Sequence, residues 1–272
     1  MTTILFGLLL KIALTASIVV AASVVVERAG PFLGSLIASL PTAGGAAMII
    51  LAVQHPPAFI AQSAVGSMVS DAACGIFALT YAVLAQRRSL AVSLVGAFLV
   101  WFACAAASQL IDWSAASALI LNAIVFPLTI LTGSRFRAEG SVRRVRLSKS
   151  DLAWRAGVVT LCVLVVTAAS GSIGSYFSGL FAFFPVAMAS FFVILHPRLG
   201  GPAAASVAAH VQAPLIGLGL GLYAVHLLAV PLGVWSSYAV GLSVGISWNA
   251  LLWLARQWWK GRQAAGVAGA PE

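Results

Sequence analysis

Charge is what this sequence has least of. Charged residues are 8% of its 272 positions, and only six are Asp or Glu. A soluble domain carries about 25% charge. A chain that is 61% hydrophobic, with a mean hydropathy of +1.05, has more apolar surface than a water-facing fold can hide. The shortage of charge therefore excludes the soluble classes and leaves lipid as the solvent. Other absences narrow the chemistry. There is no GxxxxGK[ST], which excludes an ATP-driven pump of that type, and no HExxH. No two carboxylates share one apolar run. The three cysteines, Cys74, Cys104 and Cys162, lie inside apolar runs without CxxC or metal spacing, and read as small buried hydrophobes. No metal or cofactor is expected, and an enzyme is not the leading reading.

What remains is hydrocarbon punctuated by basic connectors. Apolar runs of about 20 residues each match a hydrocarbon core ~30 Å thick. They fall at 4–26, 30–53, 58–85, 89–108, 113–133, 152–170, 172–195, 203–229 and 231–256. The first lacks a basic n-region before it and is interrupted by Lys11, so it reads as a mature helix rather than a signal peptide. The basic residues of the connectors all follow odd-numbered runs: Arg28, Arg87 and Arg88, the cluster from Arg135 to Lys149, Arg198, and Arg256 to Arg262. Positive charge stays on the cytoplasmic side, which puts the N-terminus outside and the C-terminus in the cytoplasm of a plasma (inner) membrane. The net charge of +9 thus points to anionic lipid headgroups at the basic loop, and not to nucleic acid.

The most unusual run is the second. Its stretch Gly30–Gly45 holds two prolines and four glycines, and a helix through Pro41 must kink or break. An echo lies 144 residues on. Gly30 meets Gly174, Leu36 meets Leu180, Ala38 meets Ala182, Pro41 meets Pro185 and Ala43 meets Ala187. Lys11 meets Arg155, and after a three-residue shift His55-Pro56 meets His196-Pro197. The chain reads as a duplication whose halves are antiparallel in the membrane, because an odd number of runs separates them. The expected fold is all-α: a polytopic integral membrane protein of about nine transmembrane helices, with two inverted-topology repeats of four helices and one linking helix. Residues 1–133 would hold the first repeat and the linking helix, 134–150 a basic cytoplasmic loop, 151–262 the second repeat, and 263–272 a disordered tail. On the paired broken helices and this topology, the chain resembles inverted-repeat secondary transporters such as sodium/proton antiporters and bile-acid-type symporters. The resemblance is one of architecture only.

The candidate site follows from the breaks. A helix interrupted at the midplane bares backbone groups that must face protein, water or substrate. The N–H groups near Thr42–Gly45 and after Pro185 would present a positive dipole end to an anion, with Gly44 and Gly45 allowing close approach. Pro41, Thr42, Gly44, Gly45 and Pro185 are thus candidate substrate contacts. Asp71 is the one acid well inside an apolar run, and intramembrane acids mark substrate or proton paths. Ser63, Ser67 and Ser70 share a helical face bordered by Asp71, so Ser67, Ser70 and Asp71 join the candidates. His210, opposite Ser67 in the repeat, joins Asp71 as a proton-coupling candidate. Asn122 and Asn249 read as buried amides that need structural partners, and His55 and His196 as helix stops before proline.

Three readings come from this. The first is a secondary transporter moving a small solute, with an organic anion one candidate, by alternating access coupled to protons through Asp71. The second is a non-transporting scaffold or assembly subunit. The third is an intramembrane enzyme on a lipid-linked substrate. Membrane lipids are partners in all three, and the small-xxx-small patterns leave room for a homo-oligomer. The topology is directly testable. Green fluorescent protein fused after Glu272 is expected to fluoresce, and a periplasm-dependent phosphatase fused there to be inactive. The opposite pair of signals would invert the orientation.

Overall fold

The structure, a computed structural model, describes residues 13, 16, 17, 42–137 and 148–268. Among these, all regular structure is helical. The helices are α1 (Thr42–Gln54), α2 (Pro57–Leu84), α3 (Leu90–Ala107), α4 (Ala115–Gly133), α5 (Lys149–Ala182), α6 (Val186–Leu199), α7 (Gly201–Leu228) and α8 (Val234–Ala268). Among the described residues six stretches are long and apolar enough to cross a bilayer. That differs from the nine runs for identifiable reasons. All of the first run but residues 13, 16 and 17, and the first half of the second, lie outside the described residues. Runs six and seven merge into one apolar stretch of 51 residues, Lys149–Leu199.

That stretch is nevertheless broken twice. At Gly174 the backbone takes φ 78°, a left-handed value that favours glycine. Ser178 Oγ there donates to Gly174 O at 2.7 Å and reaches Ser170 O at 3.5 Å. Residues eight apart in a straight helix are separated by about 12 Å of rise, so the chain turns back at Gly174. The second break is at Phe183–Pro185, where the ring of Pro185 denies α5 its next hydrogen bond. The turn falls at the glycine rather than at residues 170–172, where the apolar runs divide.

Local signals start the other helices. Ser114 with Ser117, and Ser148 with Asp151, form capping boxes ahead of α4 and α5. Pro57 occupies the first turn of α2, and Gly200 at φ 85° turns the chain into α7. The starts of α1, α2 and α3 (Thr42, Pro57, Leu90) recur 144 residues later at Val186, Gly201 and Val234, the starts of α6, α7 and α8. Helix α8 continues past residue 262 to Ala268; Ala264 and Ala265 are strong helix formers and carry it into the stretch expected to be a tail.

The core is the pair α2 and α7, packed along their length. They are antiparallel: His226 Nδ1 pairs with Ala61 O at the start of α2, while Gly201 abuts Ala85 O at its end. Helix α4 lies across both, and α3 and α8 flank α2 and α7 respectively. The interior of α2 is buried almost throughout, whereas the outer helices turn large apolar side chains outward. Ile120, Ile124, Leu128 and Leu131 make one stripe on α4, 55 to 71% exposed. Apolar residues at helical spacing on the outside, around a core rich in serine, are the reverse of a water-soluble bundle. They make this a membrane-embedded fold.

One end of the bundle collects the basic residues. Arg198 at the end of α6 grips Asp151 at the start of α5 through both carboxylate oxygens, at 2.8 and 2.7 Å. Arg87 and Arg88 follow α2 beside the start of α7, and Arg137 lies within electrostatic range of Arg256.

The tightest contact is between α2 and the part of α5 after Gly174. A Cβ on Gly66 would overlap Tyr176 O, and one on Gly179 would overlap Ser63 O. Replacing Gly179 with Leu is therefore expected to lower stability by about 3 kcal/mol, read as a drop in thermal midpoint in detergent. Gly171→Ala, where nothing lies within 4 Å, should leave the midpoint unchanged or raise it.

Candidate functional site

The break at Pro185 organises the site. Helix α6 begins at it, and the described part of α1 passes beside it. A Cβ on Gly44 would come within 2.5 Å of the Phe183 ring, so Gly44 is what lets α1 lie this close. From this point the two half-helices run to opposite ends of the molecule. Helix α1 ends where His55 Nε2 meets Ser170 Oγ at 2.8 Å, at the far end of the first part of α5. Helix α6 ends at the Arg198–Asp151 pair, at the beginning of that same part. The N-terminus of α6 thus lies in the interior, the positive end of a backbone dipole, with the described part of α1 leading away from the same place.

The break leaves carbonyls to satisfy. Cys74 of α2 donates its thiol to Phe183 O at 3.2 Å. Val186 N–H turns back to Phe184 O at 2.7 Å, and Ala189 N–H reaches Pro185 O at 2.9 Å. On one side Phe184 enters an aromatic group with Phe98, Trp101 and Phe102 of α3. On the other, Phe183 and Gly45 share the wall of a cavity of about 170 Å³ between α1, α7 and α8.

Most of the serine stripe is spent on the backbone. Ser63 Oγ donates to Ser175 O at 2.9 Å. Ser67 Oγ lies 2.9 Å from Ser63 O and 3.1 Å from Gly179 O, one proton serving two carbonyls. Ser67 is fully buried and holds the broken segment against α2. Ser70, one turn on, is buried with no hydrogen-bond partner for its hydroxyl.

Asp71 is 1% exposed, and neither carboxylate oxygen has a protein partner. It faces α4 and α7. Asn122 of α4 donates Nδ2 to Met68 O at 2.9 Å and Ala118 O at 2.8 Å. Those two carbonyls fix the amide's orientation, because the flipped amide would set oxygen against oxygen. Asn122 Oδ1 is thereby turned away and left unpartnered. A methyl group built on Gly219 of α7 would sit 3.0 Å from Asp71 Oδ2 and 3.2 Å from Asn122 Oδ1. Both oxygens therefore converge on the bare face of one glycine. One turn away the polar groups are satisfied: Gln212 Nε2 donates to Gly75 O, and Thr129 Oγ1 donates to Gln212 Oε1, both at 2.9 Å. An aspartate and an amide oxygen are both acceptors when the acid is ionised. A proton on the carboxyl, a water or a small cation completes the arrangement.

The structure thus brings Gly44, Gly45 and Pro185 to one place, with Asp71 and Ser70 on the neighbouring turn of α2. Pro41 lies outside the described residues, and Thr42 opens α1. His210 is not part of this group. It lies nine residues before Gly219, about 13 Å along α7. Its Nδ1 pairs with Ser206 O at 2.7 Å, and Arg137 and Arg256 lie within electrostatic range. The sequence predicts Asn122 as a structural amide, and only half of it is one. Its other half faces Asp71, which depends on helix register and leaves no mark in the sequence. The alternation Gly217-Leu218-Gly219-Leu220-Gly221 is the visible signal of close approach on α7. Arg155 has no signal beyond its match to Lys11. It is 2% exposed inside α5, stacks 3.2 Å over the Phe191 ring, and its Nε and Nη1 have no hydrogen-bond partner.

Compared with protein-family models, curated proteins and solved structures, the chain matches none.

The double donation from Asn122 gives a stability test. Asn122→Leu removes two donations to carbonyls that keep their helical partners, and should cost about 1 kcal/mol. The measurement is the shift in denaturation midpoint of the purified protein.

Proposed function

We propose that this chain is a secondary transporter that moves a small solute across the plasma (inner) membrane by alternating access, with Asp71 as the proton-carrying group. One observation carries the reading. In a core where Ser63, Ser67, Thr129 and Gln212 all find partners, the Asp71 carboxylate is buried with none, and it faces an equally unpaired Asn122 oxygen. An uncompensated acid in a membrane interior costs several kcal/mol and is kept for a task. When Asp71 takes up a proton it becomes a donor, and Asn122 Oδ1 is the acceptor across Gly219. When it releases the proton, two acceptors oppose each other and the α2–α4–α7 junction is destabilised. Proton occupancy is thereby linked to helix packing, which coupled transport requires.

The architecture belongs to the same proposal. Nine spans in two inverted repeats of four, joined by α4, would place the undescribed stretch around Pro41 opposite the break at Pro185. Support comes from the helix starts that recur at 144 residues, the antiparallel α2–α7 pair, and the two half-helices diverging from one point. Inverted repeats supply two near-equivalent packings, one open to each side. The collection of basic residues at one end supports a cytoplasmic C-terminus and an outer N-terminus.

Asp71→Asn keeps the shape and removes the titration. In proteoliposomes containing a pH-sensitive dye, a screen of small solutes across an imposed pH gradient should find one that drives proton movement through the wild type. The variant, still folded by thermal melt, should show at least a tenfold lower rate. Full retention of coupled flux in Asp71→Asn would remove Asp71 from the mechanism. No coupled flux from any solute in the wild type would favour a non-transporting scaffold.

A further inference from the structure

The cavity beside the break has a chemistry of its own. Its walls include Gly45 of α1, Phe183 at the break, Leu218 of α7, and Tyr238, Gly245 and Asn249 of α8. Among the described residues no acidic or basic side chain lines it. Tyr238 spends its hydroxyl on Met48 O at 2.9 Å, so the ring, not the oxygen, is what it offers. An anion or cation entering here would give up its hydration for hydrocarbon without a charged partner in the described lining. A neutral apolar body pays no such cost. The volume of about 170 Å³ is close to that of a dry engineered cavity of about 150 Å³ that takes up benzene.

The cavity is built in, not left over from loose packing. Helices α7 and α8 touch on both sides of it. A Cβ on Gly221 would come 2.5 Å from Gly241 O, and one on Gly217 would come 2.6 Å from Trp248 Cδ1. Trp248 is held in turn by its Nε1 donating to Ala213 O at 2.8 Å. Between these two contacts lies Gly245, where a Cβ would meet nothing closer than Gly217 O at 3.6 Å. The helices are clamped above and below, and the space between them is kept by a glycine that close approach does not require. It adjoins the one break where α1 and α6 diverge, so its wall changes whenever those half-helices move.

The geometry points to this cavity as the binding site of an uncharged solute with an aromatic or compact hydrocarbon body, about the size of a single substituted ring, with the Asn249 amide as the polar group at its edge. The organic anion suggested by the helix dipoles is thereby replaced as the preferred substrate class. The assignment rests on the transport reading only for what happens after binding.

Bromobenzene and 4-bromobenzoate share one ring and differ by a carboxylate, and bromine is located directly by anomalous diffraction. Crystals of the full chain grown from lipid mesophase and soaked in bromobenzene should show a bromine peak within the cavity. Crystals soaked in 4-bromobenzoate should show none there. Gly245→Leu fills the space from α8 and should abolish the peak; Ile49→Phe fills it from α1 and gives an independent check if the first variant folds poorly. A peak from 4-bromobenzoate as strong as that from bromobenzene overturns the assignment. So does an empty wild-type cavity, or one occupied by a lipid acyl chain that bromobenzene does not displace. Flux separates the two claims. Bromobenzene bound in the cavity, with no solute moved in proteoliposomes, keeps the cavity assignment and removes the transport reading. Proton-coupled solute flux that Gly245→Leu leaves unchanged keeps transport and removes the cavity assignment; the expected effect is at least a tenfold fall.

Discussion

Hydrocarbon supplies no hydrogen bonds, and most of this structure is a consequence of that constraint. A helix can carry its own backbone through lipid, but every interruption and every polar side chain must be matched from within the protein. Helix α2 shows how. Its serines reach carbonyls of the segment after Gly174, and its Cys74 thiol reaches the carbonyl bared at Phe183. Those bonds demand that two backbones lie almost in contact, and Gly66 and Gly179 make that approach sterically open. Serines, glycines and the break are therefore one device. The glycines permit the approach, the serines fasten it, and the fastened segment can then end abruptly at Pro185 without stranding its polar groups.

Against that background the exceptions carry the functional argument. Ser70, Asp71 and Asn122 Oδ1 lie next to satisfied groups and are themselves unmatched. Helix register could have turned Asn122 to serve Asp71, but two carbonyls hold it the other way. The carboxylate lies at the junction of α2, α4 and α7, where it and the Asn122 oxygen both approach the bare face of Gly219. The break lies one turn away along α2, where Cys74 donates to Phe183 O.

The sequence disclosed the one-dimensional features well. Apolar runs mark α2, α3, α4 and α7 and the start of α8 within a few residues, but not the end of α8, and proline chemistry locates the break at Pro185. The offset of 144 appears in the residues and again in the helix starts. What it could not disclose depends on how helices rotate against one another. Ser67 and Ser70 look equivalent along the chain, yet one is spent on backbone and the other is not. Asn122 and Gly219 are distant in sequence and meet at Asp71 only because α4 and α7 cross α2 at that level. His210 looked like a partner for Asp71 until its place along α7 set it more than two turns away. The stretch Ser170-Gly171-Ser172-Ile173-Gly174-Ser175 marks an interruption, but two glycines three residues apart could each take the turn, and composition does not choose Gly174.

The central claim is that the two half-helices at Pro185 have two arrangements whose balance is set by the proton on Asp71. Spin labels on cysteines introduced at Arg88, beyond α2, and Trp258, on α8, both exposed at the basic end, report that balance as a distance distribution in lipid nanodiscs. The account predicts two distance populations whose ratio changes with pH in the wild-type background and no longer changes in Asp71→Asn. A single distance, unaltered by pH and by the substitution, would contradict it.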